Sequence, residues 1–207
     1  MSGMKNVVES FVKMCKADWL VPHGYTGNYQ VFERLYSRTP DPWGMMHSVF
    51  AIQRYLTLLE IVSQTGPHAS ILDVGCGEGA FTKYLIGCAP EVVGIDVSGT
   101  AVERARAHLP RARFECASLE DFRPDRTFGL VIAVEMLYYV QSVDAAIEKL
   151  CALGERVIIT YTHRDKARLD AHLGRFRVPS RRRFYPFWPG MGSGFTVARF
   201  DPPGTTT

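Results

Sequence analysis

A short glycine-rich segment carries the clearest chemical signal in the sequence. Leu72-Asp73-Val74-Gly75-Cys76-Gly77-Glu78-Gly79 follows an apolar run and precedes a helical pattern. Glycine has no Cβ, so the backbone of such a loop can approach a bound molecule closely. The N-terminus of a helix behind the loop offers further N–H groups. The segment therefore predicts a cofactor site at the carboxyl end of a buried strand.

Two kinds of cofactor compete for this loop. Gly75, Gly77 and Ala80 fit the GxGxxA pattern of dinucleotide-binding loops. Asp73 and Glu78 oppose that interpretation, because their carboxylates lie beside the place a pyrophosphate would take. S-adenosylmethionine (SAM) has a cationic amino group and a sulfonium and no phosphate, so acidic neighbours suit it. The residues favour SAM, and a dinucleotide site or a purely structural loop remain alternatives.

Asp96 is the expected acidic partner of the loop. It lies 23 residues after Asp73, at the end of the second apolar run. A carboxylate at this place can accept hydrogen bonds from both hydroxyls of a ribose. The alternative is that Asp96 only caps the helix predicted to begin at Ser98.

The elements that position these residues are predicted from periodicity. Strands are expected within 69–75, 91–96, 111–117, 127–137 and 155–161, separated by helices within 79–89, 98–109 and 143–153. Strands that alternate with helices at this spacing predict an α/β fold with a doubly wound, mostly parallel sheet. Two late strands, within 176–187 and 194–201, bring the expected total to seven, after a helix within 162–174.

The chain is expected to divide into a cover and a core. Residues 1–66 are predicted to form an N-terminal helical cover, with an amphipathic helix over 1–20, a short helix near 30–37 and a long helix over 48–64. Residues 67–201 are predicted to form the core, and residues 202–207 a disordered tail.

The sequence resembles class I SAM-dependent methyltransferases. The pattern that carries this resemblance is an apolar residue followed by Asp73-x-Gly75-x-Gly77-x-Gly79. The order of Asp41-Pro42-Trp43, Ser48 before a long helix, and Glu135-Met136-Leu137-Tyr138-Tyr139 is similar to the nodulation protein S branch, from about 32 to 161. Enzymes of that branch N-methylate an amino sugar. The resemblance implies a Rossmann-like fold, SAM as methyl donor and S-adenosylhomocysteine (SAH) as product.

The same resemblance extends the expected cofactor site. Ser118, where the family often has an acid, and Leu119 are expected beside the adenine, although an ordinary turn after the third strand is the alternative. Trp43 and Ser48 are expected to help close the site. For Trp43 the alternative is a packing role in the core. The full set of expected cofactor-binding residues is Trp43, Ser48, Asp73, Gly75, Cys76, Gly77, Asp96, Val97, Ser118, Leu119 and Glu135.

The acceptor is expected at the ends of the fourth and fifth strands. Glu135, Tyr138 and His163 are the expected catalytic residues. Glu135 could bind an amine or hydroxyl proton, and His163, or alternatively His47, could be the general base for a hydroxyl acceptor. An amine acceptor needs alignment more than a base. Packing roles for Tyr138 and Tyr139 and a surface position for His163 remain alternatives.

Composition excludes several classes of protein. The 207 residues are 46% hydrophobic and 22% charged with a formal net charge of +3, which is typical of a globular chain and too small to imply nucleic-acid binding. The amino-methyltransferase motif [DNS]-PP-[YFW] is absent, so we expect no nucleic-acid substrate. No apolar run long enough for a membrane span and no secretory signal appear.

The cysteines indicate reduced thiols. The five cysteines form no CxxC pair, so no metal site is expected. Unpaired thiols are typical of a reducing compartment, and we therefore expect a cytoplasmic location. Three arginines at 181–183 could grip an anionic substrate or form a solvated edge.

The sequence predicts a SAM-dependent methyltransferase that acts on a nitrogen or oxygen of a small molecule. An amino sugar, a glycan or a natural-product intermediate is the expected acceptor. A SAM-binding protein without catalysis and a nicotinamide-dependent oxidoreductase are the rival interpretations. The oligomeric state stays open.

Overall fold

The structure is a computed structural model, and it describes residues 9, 12, 13, 21, 29–162, 165–176, 180–184 and 195–200. Most of the helix predicted over 1–20, the tail predicted over 202–207 and His163 lie outside the described residues.

Seven strands form one sheet in the order β3-β2-β1-β4-β5-β7-β6. The strands are β1 (Ser70–Val74), β2 (Glu91–Asp96), β3 (Arg113–Cys116), β4 (Leu130–Val134), β5 (Val157–Thr162), β6 (Ser180–Phe184) and β7 (Phe195–Phe200). The first five strands are parallel, and β7 runs antiparallel to both of its neighbours. The predicted doubly wound, seven-stranded, mostly parallel sheet is confirmed.

Six helices of the described residues surround the sheet. They are α1 (Gln30–Arg38), α2 (Val49–Gln64), α3 (Thr82–Leu85), α4 (Gly99–His108), α5 (Val143–Leu153) and α6 (Lys166–Leu173). Ser48, Ser98 and Ser142 cap α2, α4 and α5, because each serine hydroxyl accepts the backbone N–H three residues on.

Helix α3 is shorter than the predicted 79–89. Three-residue turns close both of its ends, with hydrogen bonds from Tyr84 N to Phe81 O and from Cys88 N to Leu85 O. The glycine loop uses the residues that the apolar pattern assigned to the first helical turn.

Helices cover both faces of the sheet. On one face, Tyr55 and Leu58 of α2 and Leu85 of α3 pack against Ile71 and its neighbours. On the other face, apolar residues of α5 and α6 pack against Leu72, among them Ile147 and Leu169. All five residues of β1 are buried, which is why that strand reads as a continuous apolar run rather than an alternating one.

The strand order places the site. From β1 the chain adds β2 and β3 on one side, and it then crosses back to place β4 on the other side of β1. Ligands of such sheets bind outside the carboxyl ends of the strands at this reversal. Gly75 follows β1, Val97 follows β2 and Glu135 follows β4, so the residues singled out by chemistry meet at one edge.

Gly94 lets β2 and β3 pack closely beneath this edge. A Cβ on Gly94 would lie 2.7 Å from the ring of Phe114 and 2.9 Å from Sγ of Cys76. Both neighbours are buried, so neither can move away without cost.

We expect Gly94→Ala to lower the free energy of unfolding by about 1–3 kcal/mol, the usual cost of overpacking a core. The matched control is Gly87→Ala, because the nearest atom to a Cβ at Gly87 is the carbonyl oxygen of Tyr84 at 4.0 Å. Urea unfolding followed by circular dichroism measures both. Equal stability of the two variants would show that the sheet yields at Gly94.

Candidate active site

The glycine loop turns sharply away from β1. Gly75, Gly77 and Gly79 have φ angles of 74°, 53° and 83°, a region that favours glycine. The backbone N–H groups of Gly75 and Cys76 both donate to the carbonyl of Ile95 in β2, at 2.9 and 3.0 Å. The loop is therefore fixed to the neighbouring strand and leaves Gly75 exposed at the sheet edge.

Asp96 joins the loops after β1 and β2. One of its carboxylate oxygens accepts the N–H of Gly77 at 2.8 Å, and the other accepts the N–H of Ser98 at 2.9 Å. Burial raises the pKa of Asp96, and these backbone donors oppose that effect. Asp96 therefore does more than cap a helix, because its carboxylate also binds the glycine loop.

Asp73 lies beneath the loop. Its carboxylate is 2% exposed and accepts the hydroxyl of Thr82 at 2.6 Å. Burial raises the pKa of Asp73 to about 7, with a further contribution from the charge of Asp96. Two acids thus flank the loop that follows β1.

Glu78 faces the cover rather than the open edge. Its carboxylate accepts Nη1 of Arg104 at 2.6 Å and the backbone N–H of Asp41 at 2.9 Å. Arg104 also donates to the carbonyl of Tyr36 at 3.0 Å. The positive guanidinium offsets the charge of Glu78, so the acidity of the loop rests on Asp73 and Asp96.

Tyr36 of α1 reaches over the loop, a contact that sequence reasoning missed. Its hydroxyl lies 2.6 Å from where a Cβ on Gly77 would stand, and Trp43 donates a side-chain hydrogen bond to it. Glycine at 77 is therefore required by its φ angle and by the close approach of Tyr36. No spacing in the sequence pairs these two residues, which are 41 positions apart.

Aromatic side chains form a wall beside the loop. Trp43 is half-buried with its ring centroid 5.9 Å from that of Tyr139, and Phe32 meets Tyr139 edge to face at 5.2 Å. Val97, predicted to contact the cofactor, packs in the same cluster. The structure thus brings Trp43 and Val97 together, while the buried Ser48 serves as the N-cap of α2.

Ser118 and Leu119 follow β3 at the same edge. The hydroxyl of Ser118 donates to the carboxylate of Asp121 at 2.8 Å and accepts the N–H of Asp121 at 3.0 Å. The turn expected as the alternative is therefore present, and both residues are buried. Their contact with adenine stays a prediction.

Glu135 follows β4 in a strained conformation. Its φ is 56°, unusual for a residue with a side chain, and such strain is typical of functional sites. Its carboxylate accepts the hydroxyl of Tyr138 at 2.6 Å and that of Thr160 at 3.2 Å, and Nη1 of Arg54 lies 3.7 Å away. The carboxylate is therefore held from β5, from α2 and from its own turn.

Tyr138 is buried behind Glu135. Besides donating to Glu135, its hydroxyl accepts the backbone N–H of Thr162 at 2.6 Å. Burial and the charge of Glu135 raise the pKa of Tyr138. This geometry suits a residue that orients Glu135. Of the two histidines considered as general bases, His47 is exposed and His163 lies outside the described residues.

Comparison with known proteins agrees with this geometry. The family model described as "Methyltransferase domain" matches residues 71–154. Nodulation protein S of Bradyrhizobium diazoefficiens is 33% identical over 132 residues, which are 61% of this chain and 63% of that protein. The chain is thus similar to a methyltransferase domain and to nodulation S proteins.

Solved structures of methyltransferases share the fold of this chain. The N-methyltransferase NodS from Bradyrhizobium japonicum, crystallised with SAH, superposes with a TM-score of 0.73 at 22% identity. The superposition covers 84% of this chain and 98% of that one.

The similarity to curated relatives is partial. The chain spans a little under two thirds of the first two nodulation S proteins that it matches, 63% and 65% of their lengths. A ubiquinone biosynthesis O-methyltransferase of Rhodopseudomonas palustris is 30% identical over 87 residues, 40% of this chain and 34% of that protein. The described residues include no helix with the length and apolar character of a membrane span, and no group of three potential metal ligands.

Asp73 predicts a pH dependence of stability. A carboxyl whose pKa is raised by folding binds its proton more tightly in the folded state, so folding stability falls as pH rises from about 4 to about 7. We expect Asp73→Asn to remove this slope. Its free energy of unfolding, relative to that of the unaltered protein, should therefore rise by roughly 2–4 kcal/mol between pH 5 and pH 8.

Urea unfolding at several pH values measures this effect. Asp125→Asn, at an exposed carboxylate on the loop before β4, is the control. Parallel pH profiles for Asp73→Asn and the unaltered protein would contradict the expectation.

Proposed function

We propose that this protein transfers a methyl group from SAM to a nitrogen or oxygen of a small molecule. The observation that carries the proposal is the glycine loop flanked by Asp73 and Asp96, at the carboxyl edge of β1 and β2 in a sheet with the methyltransferase strand order. A nitrogen acceptor is the first choice, since nodulation S proteins are among the relatives and a neighbour in structure is an N-methyltransferase.

The residues at the loop suit SAM better than a dinucleotide. Asp73 and Asp96 are buried carboxylates at the loop, and the guanidinium of Arg104 is already bound to Glu78. An anionic pyrophosphate would meet repulsion there, whereas the ammonium and sulfonium of SAM would meet attraction. This supports SAM and counts against the oxidoreductase alternative.

The site divides into a cofactor half and an acceptor half. Asp96 would hold the ribose hydroxyls, Gly75 and Gly77 would leave room for the methionine portion, and Trp43, Val97 and Leu119 would provide apolar surface. SAM when bound supplies an electrophilic methyl group that an acceptor lone pair displaces from sulfur. The protein's own contribution is alignment and exclusion of water.

Glu135 is the proposed acceptor residue. It lies at the end of β4, next to the glycine loop, where Met136 approaches Gly75. Its carboxylate would bind an amine or hydroxyl and take up or hold its proton, while Tyr138, Thr160 and Arg54 fix its orientation. An amino sugar, a glycan or a natural-product intermediate fits the proposal.

The proposed location is the cytoplasm. The cysteines at 76, 88, 116 and 151 are free thiols in the structure, as expected in a reducing compartment. A small-molecule acceptor is favoured over nucleic acid by the modest net charge of +3.

Isothermal titration calorimetry with SAH tests the cofactor half. We expect micromolar affinity, about 8 kcal/mol of binding free energy. Asp96→Ala should weaken SAH binding at least tenfold, because hydrogen bonds to a charged group contribute roughly 1.5–3 kcal/mol. Asp125→Ala is the control at an exposed carboxylate. Tight NADH binding without SAH binding would contradict the proposal. An unchanged SAH affinity of a folded Asp96→Ala variant would contradict the role of Asp96.

Methyl transfer from SAM to a library of amines and alcohols tests the acceptor half. Glu135→Gln should keep SAH affinity within about twofold and lower turnover by about 10²–10⁴, because the amide keeps the size of the side chain and loses its charge. Tyr138→Phe should cost less, since only the hydroxyl is lost.

Glu155→Gln, at an exposed carboxylate near the other end of β5, is the control for this assay. Weakened SAH binding in Glu135→Gln would move Glu135 to the cofactor half. SAH binding without turnover on any acceptor would favour the non-catalytic alternative.

A further inference from the structure

A side chain of the cover ends at the N-terminus of a core helix. The carboxylate of Glu33, on α1, accepts the hydroxyl of Ser98 at 2.8 Å and the backbone N–H of Thr100 at 3.2 Å. The hydroxyl of Thr100 donates to the other oxygen of the same carboxylate. Three donors from the first turn of α4 thus converge on a residue at least 65 positions away.

Ser98 connects Glu33 with the proposed ribose acid. Its backbone N–H donates to Asp96 at 2.9 Å, and its hydroxyl, which donates to Glu33, also accepts the N–H of Ala101 at 3.2 Å. The turn from Asp96 to Thr100 is therefore fixed at one end by the glycine loop and at the other by the cover. A shift of Glu33 would be passed to Asp96 through a single residue.

The charges and hydrogen-bond donors at this turn act on the pKa values of both carboxylates. The N-terminus of α4 carries partial positive charge and favours an anion. Hydrogen bonds from Thr100 and Ser98 lower the pKa of Glu33, while the charge of Glu33 adds to the effects that raise the pKa of Asp96. Backbone donors at the same turn offset that repulsion.

We propose that Glu33 is a positioning residue that aims the carboxylate of Asp96 at the ribose hydroxyls of the cofactor. This inference rests on the proposed function, because it assigns Asp96 to the ribose. Glu33 acts through Ser98 and Thr100 and does not touch the cofactor.

The arrangement also sets a specificity. A ribose that carries a phosphate on its hydroxyls would bring two negative charges towards a turn that already holds Asp96 and Glu33. A phosphorylated ribose would therefore meet electrostatic repulsion at this turn.

The test compares ligands with and without one ribose hydroxyl. SAH is titrated by calorimetry into the unaltered protein, Glu33→Gln and Glu103→Gln, and adenosine and 2′-deoxyadenosine are then measured by competition with SAH. Glu103 lies on α4 as an exposed carboxylate, so its variant removes the same charge close by and leaves the turn intact.

We expect Glu33→Gln to weaken SAH about five- to tenfold, in line with the loss of a charge-assisted hydrogen bond. The preference of the unaltered protein for adenosine over 2′-deoxyadenosine, about tenfold for one hydrogen bond to a carboxylate, should fall to about twofold or less in Glu33→Gln. Glu103→Gln should match the unaltered protein in both measurements.

Thr100→Val is a second variant that keeps the carboxylate and removes one donor. It should reduce the adenosine preference in the same direction, and it keeps the test decisive where Glu33→Gln folds poorly.

Equal weakening of adenosine and 2′-deoxyadenosine by Glu33→Gln would overturn the proposal, since Glu33 would then only fasten the cover. Unchanged binding of SAH would overturn it as well. Absence of SAH binding to the unaltered protein would instead overturn the proposed function on which it rests.

Discussion

The site depends on one buried carboxylate that holds two loops together. Asp96 accepts the N–H of Gly77 from the loop after β1 and the N–H of Ser98 from the turn after β2. Parallel strands fix where these loops begin but not how they lie relative to each other. The charge-assisted hydrogen bonds to Asp96 supply that missing constraint. The residue proposed to bind the ribose thus also holds together the two loops between which the cofactor would lie.

Parts of the cover complete the same edge from a distant stretch of sequence. Arg104 joins the carboxylate of Glu78 to the carbonyl of Tyr36, and the Tyr36 hydroxyl lies over Gly77. Polar contacts therefore position the cover, while the aromatic cluster around Phe32 and Tyr139 buries its apolar side. The cover and the core meet through hydrogen bonds of backbone groups where the core carries its glycines.

The sequence was informative wherever a pattern was local. The strands, the glycine loop and Asp96 follow from apolar runs, glycine spacing and the position of an acid after a strand. Helix α3 is shorter than predicted, because the apolar periodicity does not show that the glycine loop includes the residues of the expected first helical turn. Glu33, Tyr36 and the way Tyr138 turns its hydroxyl to Glu135 were missed because each depends on partners from another element. A carboxylate one turn into an amphipathic helix looks like any solvated residue until its partners across the fold are known.

The separation between Glu33 and its partners bears on the order of assembly. The contact joins residues at least 65 positions apart, so α1 must be brought to α4 from a distant stretch of sequence. The pairings of β1 with β2 and β4 do not involve α1, so the sheet can form before the cover docks. A chain between these two stages would have a complete sheet but would lack the contacts of Glu33 with the turn after β2. In such a chain Ser98 would lack its Glu33 acceptor, so the turn that holds Asp96 would be completed only by the docking of α1.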